Sequence, residues 1–136
     1  MGWNSYLDSI VTRVAAVTGI NRCERAAHVD IDKMVAVPRW PQAIVSDFGG
    51  EIDPFSGDIY IKRFAVTLAV LVPRGTNGKE ASKKLAEISE AVVAELTHTR
   101  DHGEITLFGE MGEVAESSGT AEVYMQTFLF NYLVLE

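Results

Sequence analysis

Hydrophobic side chains along this chain fall into two helical and four extended patterns. Leu7, Ile10, Val14 and Val17 recur three and four residues apart, with Tyr6 and Val11 alongside, and predict an amphipathic helix over residues 4–18. Ser5 with Asp8 offers a capping-box start, and Gly19 a stop. Residues 43–48 are short and β-compatible. Residues 59–72 form a long extended run, with Tyr60, Phe64, Val66, Leu68, Val70 and Val72 on one face and Lys62 interrupting it. Between these runs Gly49 to Asp58 is dense in turn formers, so the pair reads as a hairpin. Ala81, Leu85, Ile88, Val92 and Leu96 line one side of a second helix over residues 79–98, while Glu80–Lys84 and Lys83–Glu87 pair four apart on its other sides. A weaker strand over 105–114 contains Gly109 and Gly112, which predict a bulge or kink. Ser117, Ser118 and Gly119 then turn the chain into a last long strand over 121–135. There Tyr124, Phe128, Phe130, Tyr132 and Val134 point one way, and Val123, Met125, Leu129, Leu133 and Leu135 the other. Residues 20–42 lack a clear period; Pro38 and Pro41 flank Trp40 and suggest an extended, packed connection.

The order helix, hairpin, helix, hairpin predicts an α+β fold. Its expected form is an antiparallel or mixed sheet of about four strands in two hairpins, with two helices packed on it (α-β-β-α-β-β). At 136 residues the chain fits a single domain, residues 1–136. Both faces of the two long strands are largely apolar, whereas a sheet with one solvated face alternates apolar with polar. A strand of about 14 residues extends ~45 Å, while the second helix reaches only ~25–30 Å. Two helices therefore leave apolar strand surface over, and the sequence predicts a homo-oligomer that buries it.

Composition agrees with an ordinary packed core: 47% hydrophobic and 23% charged. No stretch approaches the ~20 apolar residues of a membrane-spanning helix. The first residues carry an acid, Asp8, and no basic cluster, so no signal peptide is expected. The single cysteine, Cys23, excludes an internal disulfide and suits a reducing compartment. The net charge of −7 is unevenly placed. Residues 101–136 hold Asp101, Glu104, Glu110, Glu113, Glu116, Glu122 and Glu136 with no Lys or Arg, and the remaining acids balance all 12 basic residues. Nucleic-acid binders show the reverse, a basic stripe, so sequence-specific nucleic-acid binding is not expected. The acidic quarter reads as a solvated face, or as a surface that repels phosphate or meets a basic partner.

Candidate chemistry is sparse. His98 and His102 stand four apart and would share a face of a continuous helix, a metal-binding spacing. Gly103 marks a helix end, however, and histidines at a helix C-terminus also suit its dipole. His28, Asp30 and Asp32 alternate, and on a strand would share a face as a cation chelate or a solvated edge. Gly49-Gly50 is followed by Glu51, Asp53 and Asp58 rather than a Lys-bearing helix start, so a hairpin tip fits better than a phosphate cradle. Arg22 and Arg25 flank Cys23 and would lower its pKa, but no His partner accompanies it. Tyr124, Phe128, Phe130 and Tyr132 lack the basic neighbours of a base-stacking sheet and read as core. No catalytic constellation, metal set or cofactor motif is expected, and the chain does not read as an enzyme.

This order of elements resembles the tail-terminator family of long-tailed phages, which includes the lambdoid minor tail proteins that join tail to head. The resemblance rests on the short N-terminal helix and the Pro-bounded segment Val35-Ala36-Val37-Pro38-Arg39-Trp40-Pro41. It continues through the acidic Gly-rich turn Asp47-Phe48-Gly49-Gly50-Glu51, the long strand Ile59 to Val72, the helix Glu80 to Leu96 and the strand Tyr124 to Leu135. It implies a structural virion-assembly protein of a phage or prophage, found in the virion tail or the host cytoplasm. A ring of about six subunits would cap the tail tube and present a face to the head–tail connector at the neck, through heterologous contacts. Its partners would be copies of itself, the tail-tube protein and the neck protein, with no membrane. Glu51, Asp53, Pro54 and Phe55 at the first hairpin tip, with Arg74 and Lys79 after the long strand, are the interface candidates. Glu110, Glu113 and Glu116 are candidates for an acidic lumen past which DNA slides. The alternative is a small α+β ligand-binding or enzymatic domain acting as a dimer, with its pocket at the subunit seam.

Overall fold

A computed structural model describes residues 2–37, 39–47, 53–56, 59–73, 79–97, 99–101, 104–111 and 121–135. They form an α+β fold around one mixed sheet. In chain order the elements are α1 (Trp3–Ala15), β1 (Arg22–Ala26), α2 (Ile31–Ala36), β2 (Gln42–Asp47), β3 (Asp53–Ser56) and β4 (Ile59–Pro73). They continue with α3 (Lys79–Leu96), β5 (Thr99–Asp101), β6 (Glu104–Met111) and β7 (Ala121–Leu135). The sheet order is β1-β2-β4-β7-β6-β5, with β3 also on β4. The two expected hairpins are present as β2–β4 and β6–β7, and three short strands add to the expected four.

The sheet is organised by β4 and β7, each of 15 residues and antiparallel from Ile59↔Leu135 to Pro73↔Ala121. On β4's other side, β2 covers Phe64 to Ala69 and β3 covers Ile59 to Ile61. Residues 53–56 are therefore a strand continuing the β2 edge, not part of a turn. The β6–β7 register shifts between Phe108 and Glu110, placing a bulge at Gly109 as the glycine spacing predicts.

Helices α1 and α3 lie on one face, here the front. Tyr6, Leu7, Ile10 and Val14 of α1 and Ala81, Leu85, Ile88, Val92 and Leu96 of α3 are buried there. They meet Phe64, Val66, Leu68 and Val70 of β4 and Phe128, Phe130 and Tyr132 of β7 in one cluster. Tyr6 stacks on Tyr132 at 3.6 Å, and Phe64 on Phe130 at 5.3 Å. Lys62, the polar break in this face, sets its ammonium 5.0 Å from the Trp3 ring, so its charge caps the aromatic end of the core. Arg13 of α1 meets Glu95 of α3 at 3.2 Å.

Local structure differs from expectation at the start of the chain. Gly2, not Ser5, caps α1, with no side-chain hydrogen bond, and Ser5 lies inside the first turn. The helix ends at Ala15. Gly19 follows in the turn with φ of 99°, and a Cβ there would lie 3.3 Å from the Ile88 side chain. Residues 20–42 are not a plain connection. They contain β1, parallel to β2 from Arg22↔Gln42 to Ala26↔Ser46, then α2, then a cis Trp40–Pro41 bond. Asp30 caps α2 by accepting from the Lys33 N–H at 3.3 Å. Gln42, fully buried, donates its amide to the Met34 carbonyl at 2.9 Å and to that of Val37 at 2.8 Å, which satisfies the end of α2 and fixes it to β2.

Candidate functional site

The reverse face of the sheet is built from the alternate residues of the same strands. At one end Met34 of α2 lies on Ile44, Ala69, Val123 and Met125, flanked by Ala26, Val29, Trp40 and Leu71. This cluster corrects the expectation that two helices alone cover the sheet. A third helix closes part of the second face, but its six residues span only ~9 Å against strands of ~50 Å.

Beyond α2 the reverse face is low and mixed. Ala65 and Thr67 are buried, and the Thr67 and Thr127 hydroxyls meet across the strands at 3.2 Å. Around this strip Ile61, Arg63, Leu129 and Asn131 are half-buried, and Ile61 and Leu129 belong to neither hydrophobic cluster. Ile61 and Leu129 are the half-buried apolar side chains described on this strip.

The candidate interface residues do not converge. Asp53, Pro54 and Phe55 lie on β3, with Asp53↔Ile61 and Pro54↔Tyr60 in register at the start of β4. Lys79 opens α3, beyond the far end of β4, and is exposed. The two sets are thus separated by the length of the strand. Glu110 lies on β6 in register with Leu129 of β7. Glu51, Arg74, Glu113 and Glu116 lie outside the described residues.

The remaining polar candidates resolve into local roles. Helix α3 stops at Leu96 and β5 begins at Thr99, and His98 and His102 lie outside the described residues. His28 is exposed in a bend and Asp30 caps α2, so His28, Asp30 and Asp32 do not share a strand face. Among the described residues no group of three or more His, Cys, Asp or Glu is placed to hold a metal. Burial pushes the Cys23 thiol from its ordinary 9.0 up to about 12 against the pull of Arg22, with Glu24 adding to the rise. Desolvation therefore outweighs the basic neighbours and disfavours the thiolate. No helix among the described residues is long and apolar enough to cross a membrane.

One feature of α3 leaves no mark in the sequence pattern. A groove of about 610 Å³ runs along α3, lined by Ser82, Ala86, Ser89, Val93 and Thr97, with Gln126 of β7 at its side. These small residues repeat every three to four positions beside the core-facing stripe. The sequence pattern marked the core-facing stripe Ala81, Leu85, Ile88, Val92 and Leu96 but not the groove beside it.

No family model and no curated protein matches the chain. One solved structure superposes over 96% of this chain and 96% of its own, at 13% identity and a TM-score of 0.49. That likeness carries no functional argument. What the fold defines is an α+β domain whose single mixed sheet carries two helices on one face and one short helix on the other.

Proposed function

We propose that this chain is a structural assembly protein of the phage tail-terminator type, a subunit of a ring that caps the tail tube and joins it to the neck. The observation that carries the reading is the reverse face of the β4–β7 pair. It is a long, continuous strand surface with α2 on one end and half-buried Ile61 and Leu129 on the other. Surface of this kind is suited to burial against another subunit. The resemblance in element order supports the same reading, as do interface candidates at opposite ends of β4, because a ring joins one patch to a different patch. On this reading Glu110, Glu113 and Glu116 line the bore, where carboxylates repel phosphate and keep DNA mobile.

The direct test is tube assembly. The chain added to polymerising tail-tube protein should arrest growth and decorate one tube end as a ring in electron micrographs. Unchanged tube lengths and bare ends would overturn the reading. Replacing Glu110, Glu113 and Glu116 by Lys should slow DNA ejection while rings still form; unchanged ejection would remove the lumen role alone.

A further inference from the structure

Among the described residues β1 pairs only with β2, and β5 only with β6, so these two strands are the edges of the sheet. An edge strand keeps one row of backbone N–H and C=O groups unpaired, and proteins commonly guard such a row with charged side chains. Here the arginines of β1 are drawn over the two faces of the sheet instead. On the front, Arg25 donates to Asn4 of α1 at 2.7 Å and to Asp8 at 3.4 Å. On the reverse, Arg22 donates to Glu24 and to the buried Gln42.

Strand direction limits what can pair at such an edge. β1 runs parallel to β2, and successive antiparallel pairings lead from β2 through β4, β7 and β6 to β5. β5 therefore runs in the same direction as β1. A second copy facing the same way sets its β5 beside β1 as a parallel pair, and the sheet continues from copy to copy. Two different edges meet in this contact, the heterologous geometry that a rotation closes into a ring, whereas β1 against β1 stops at a two-fold dimer.

The two edges are also opposite in charge. Residues 20–42 hold four Lys and Arg against three Asp and Glu, and residues 99–111 hold one against three. Lys33 lines a cavity with Arg22, Glu24 and Ala26 of β1. Arg39 stands near the start of β1, where Asn21 donates to the Trp40 carbonyl. Lys33 and Arg39 are both exposed and make no ion pair among the described residues. At the other edge Asp101 of β5 and Glu104 of β6 are in register. Complementary charge of this kind selects β5, rather than a second β1, as the strand that β1 receives.

We propose that β1 of one copy takes β5 of the next as a parallel strand, with Lys33 and Arg39 supplying positive charge against Asp101 and Glu104. The proposal rests on the ring reading, names the strands that join neighbours, and is separate from the contact at Leu129.

Amide hydrogen exchange and mass, both on the full-length protein, test it. Between dilute and concentrated wild type the amides of β1 and β5 should slow at least about tenfold. Lys33→Glu with Arg39→Glu should raise the concentration of half-assembly at least about tenfold, and so should Asp101→Lys with Glu104→Lys. All four substitutions together should restore assembly to within about threefold of wild type. If a variant does not fold, the exchange of the wild type decides. Unchanged exchange of β1 and β5 in an oligomer overturns the proposal. So does assembly of either charge-reversed pair at the wild-type concentration, or failure of the folded fourfold variant to assemble. In those cases a wild-type ring on the tube end still stands, and the ring reading survives. A dimer with β1 protected and β5 unchanged overturns the proposal in favour of two-fold pairing. A wild type that neither assembles nor decorates tube ends removes the ring reading and this contact together.

Discussion

On the front of the sheet, Phe64, Val66, Leu68, Phe128, Phe130 and Tyr132 meet two full-length helices. On the reverse, Ala65, Thr67, Ala69, Thr127 and Leu129 come from the same strands and meet a six-residue helix at one end. Large aromatic and branched side chains fill the space between sheet and helices on the front, whereas short side chains keep the middle of the reverse low. Two faces of the same strands thus close differently. Helix length and side-chain size, more than hydrophobicity, decide which face a chain completes by itself.

Substitutions on adjacent β7 residues separate the faces most sharply. Phe130 is fully buried against Phe64, so Phe130→Ala should destabilise the chain by about 3–5 kcal/mol in urea unfolding. Leu129→Ala, one residue away, should cost about 1 kcal/mol or less in the dispersed chain. Equal losses would mean that the reverse face is as closed as the front.

Next in size is the attachment of α2. Gln42→Ala strands two helix-end carbonyls and should cost about 2–3 kcal/mol. Amide exchange of residues 33–37 should accelerate while that of α1 and α3 is unchanged. A uniform acceleration would show that the two faces unfold as one unit. Gly19→Ala strains a left-handed turn and presses on Ile88, and should cost about 1–2 kcal/mol at the front only.

The smallest effect concerns Cys23, which packs against the front cluster. Its folded-state pKa is raised from 9.0 to about 12, so the thiol is protonated at pH 8 and alkylation by iodoacetamide should be slow until the chain unfolds. A raised pKa in an acid favours the neutral form in the folded state. Its stabilisation is therefore fully present below pH 9 and is lost as pH rises from about 9 through 12. Alkylation at the rate of a free thiol would mean that the site is wet.

The long elements were legible in the sequence because each repeats one period for many residues. Strands 59–73 and 121–135, helix 79–96 and the Gly109 bulge lie within two residues of their patterns. Residues 20–42 were not, because their order comes from single contacts: the Asp30 cap, the buried Gln42 amide and the parallel pairing of β1 with β2. None of these leaves a period. The α3 groove was illegible for another reason. Ser82, Ala86 and Ser89 are neutral in a pattern, and only the placement of the sheet shows which flank is covered. The candidate interface residues were chosen by loop chemistry, and strand pairing sets Asp53–Phe55 and Lys79 far apart.

Mass decides whether the half-buried end of the reverse face meets another copy of the chain. Light scattering of the wild type at high concentration should give a ring of about six chains. Leu129→Glu, which places a charge on that face, should return a single-chain mass with an unchanged circular dichroism spectrum. A wild type of single-chain mass at every concentration, or an oligomer indifferent to Leu129→Glu, would contradict it.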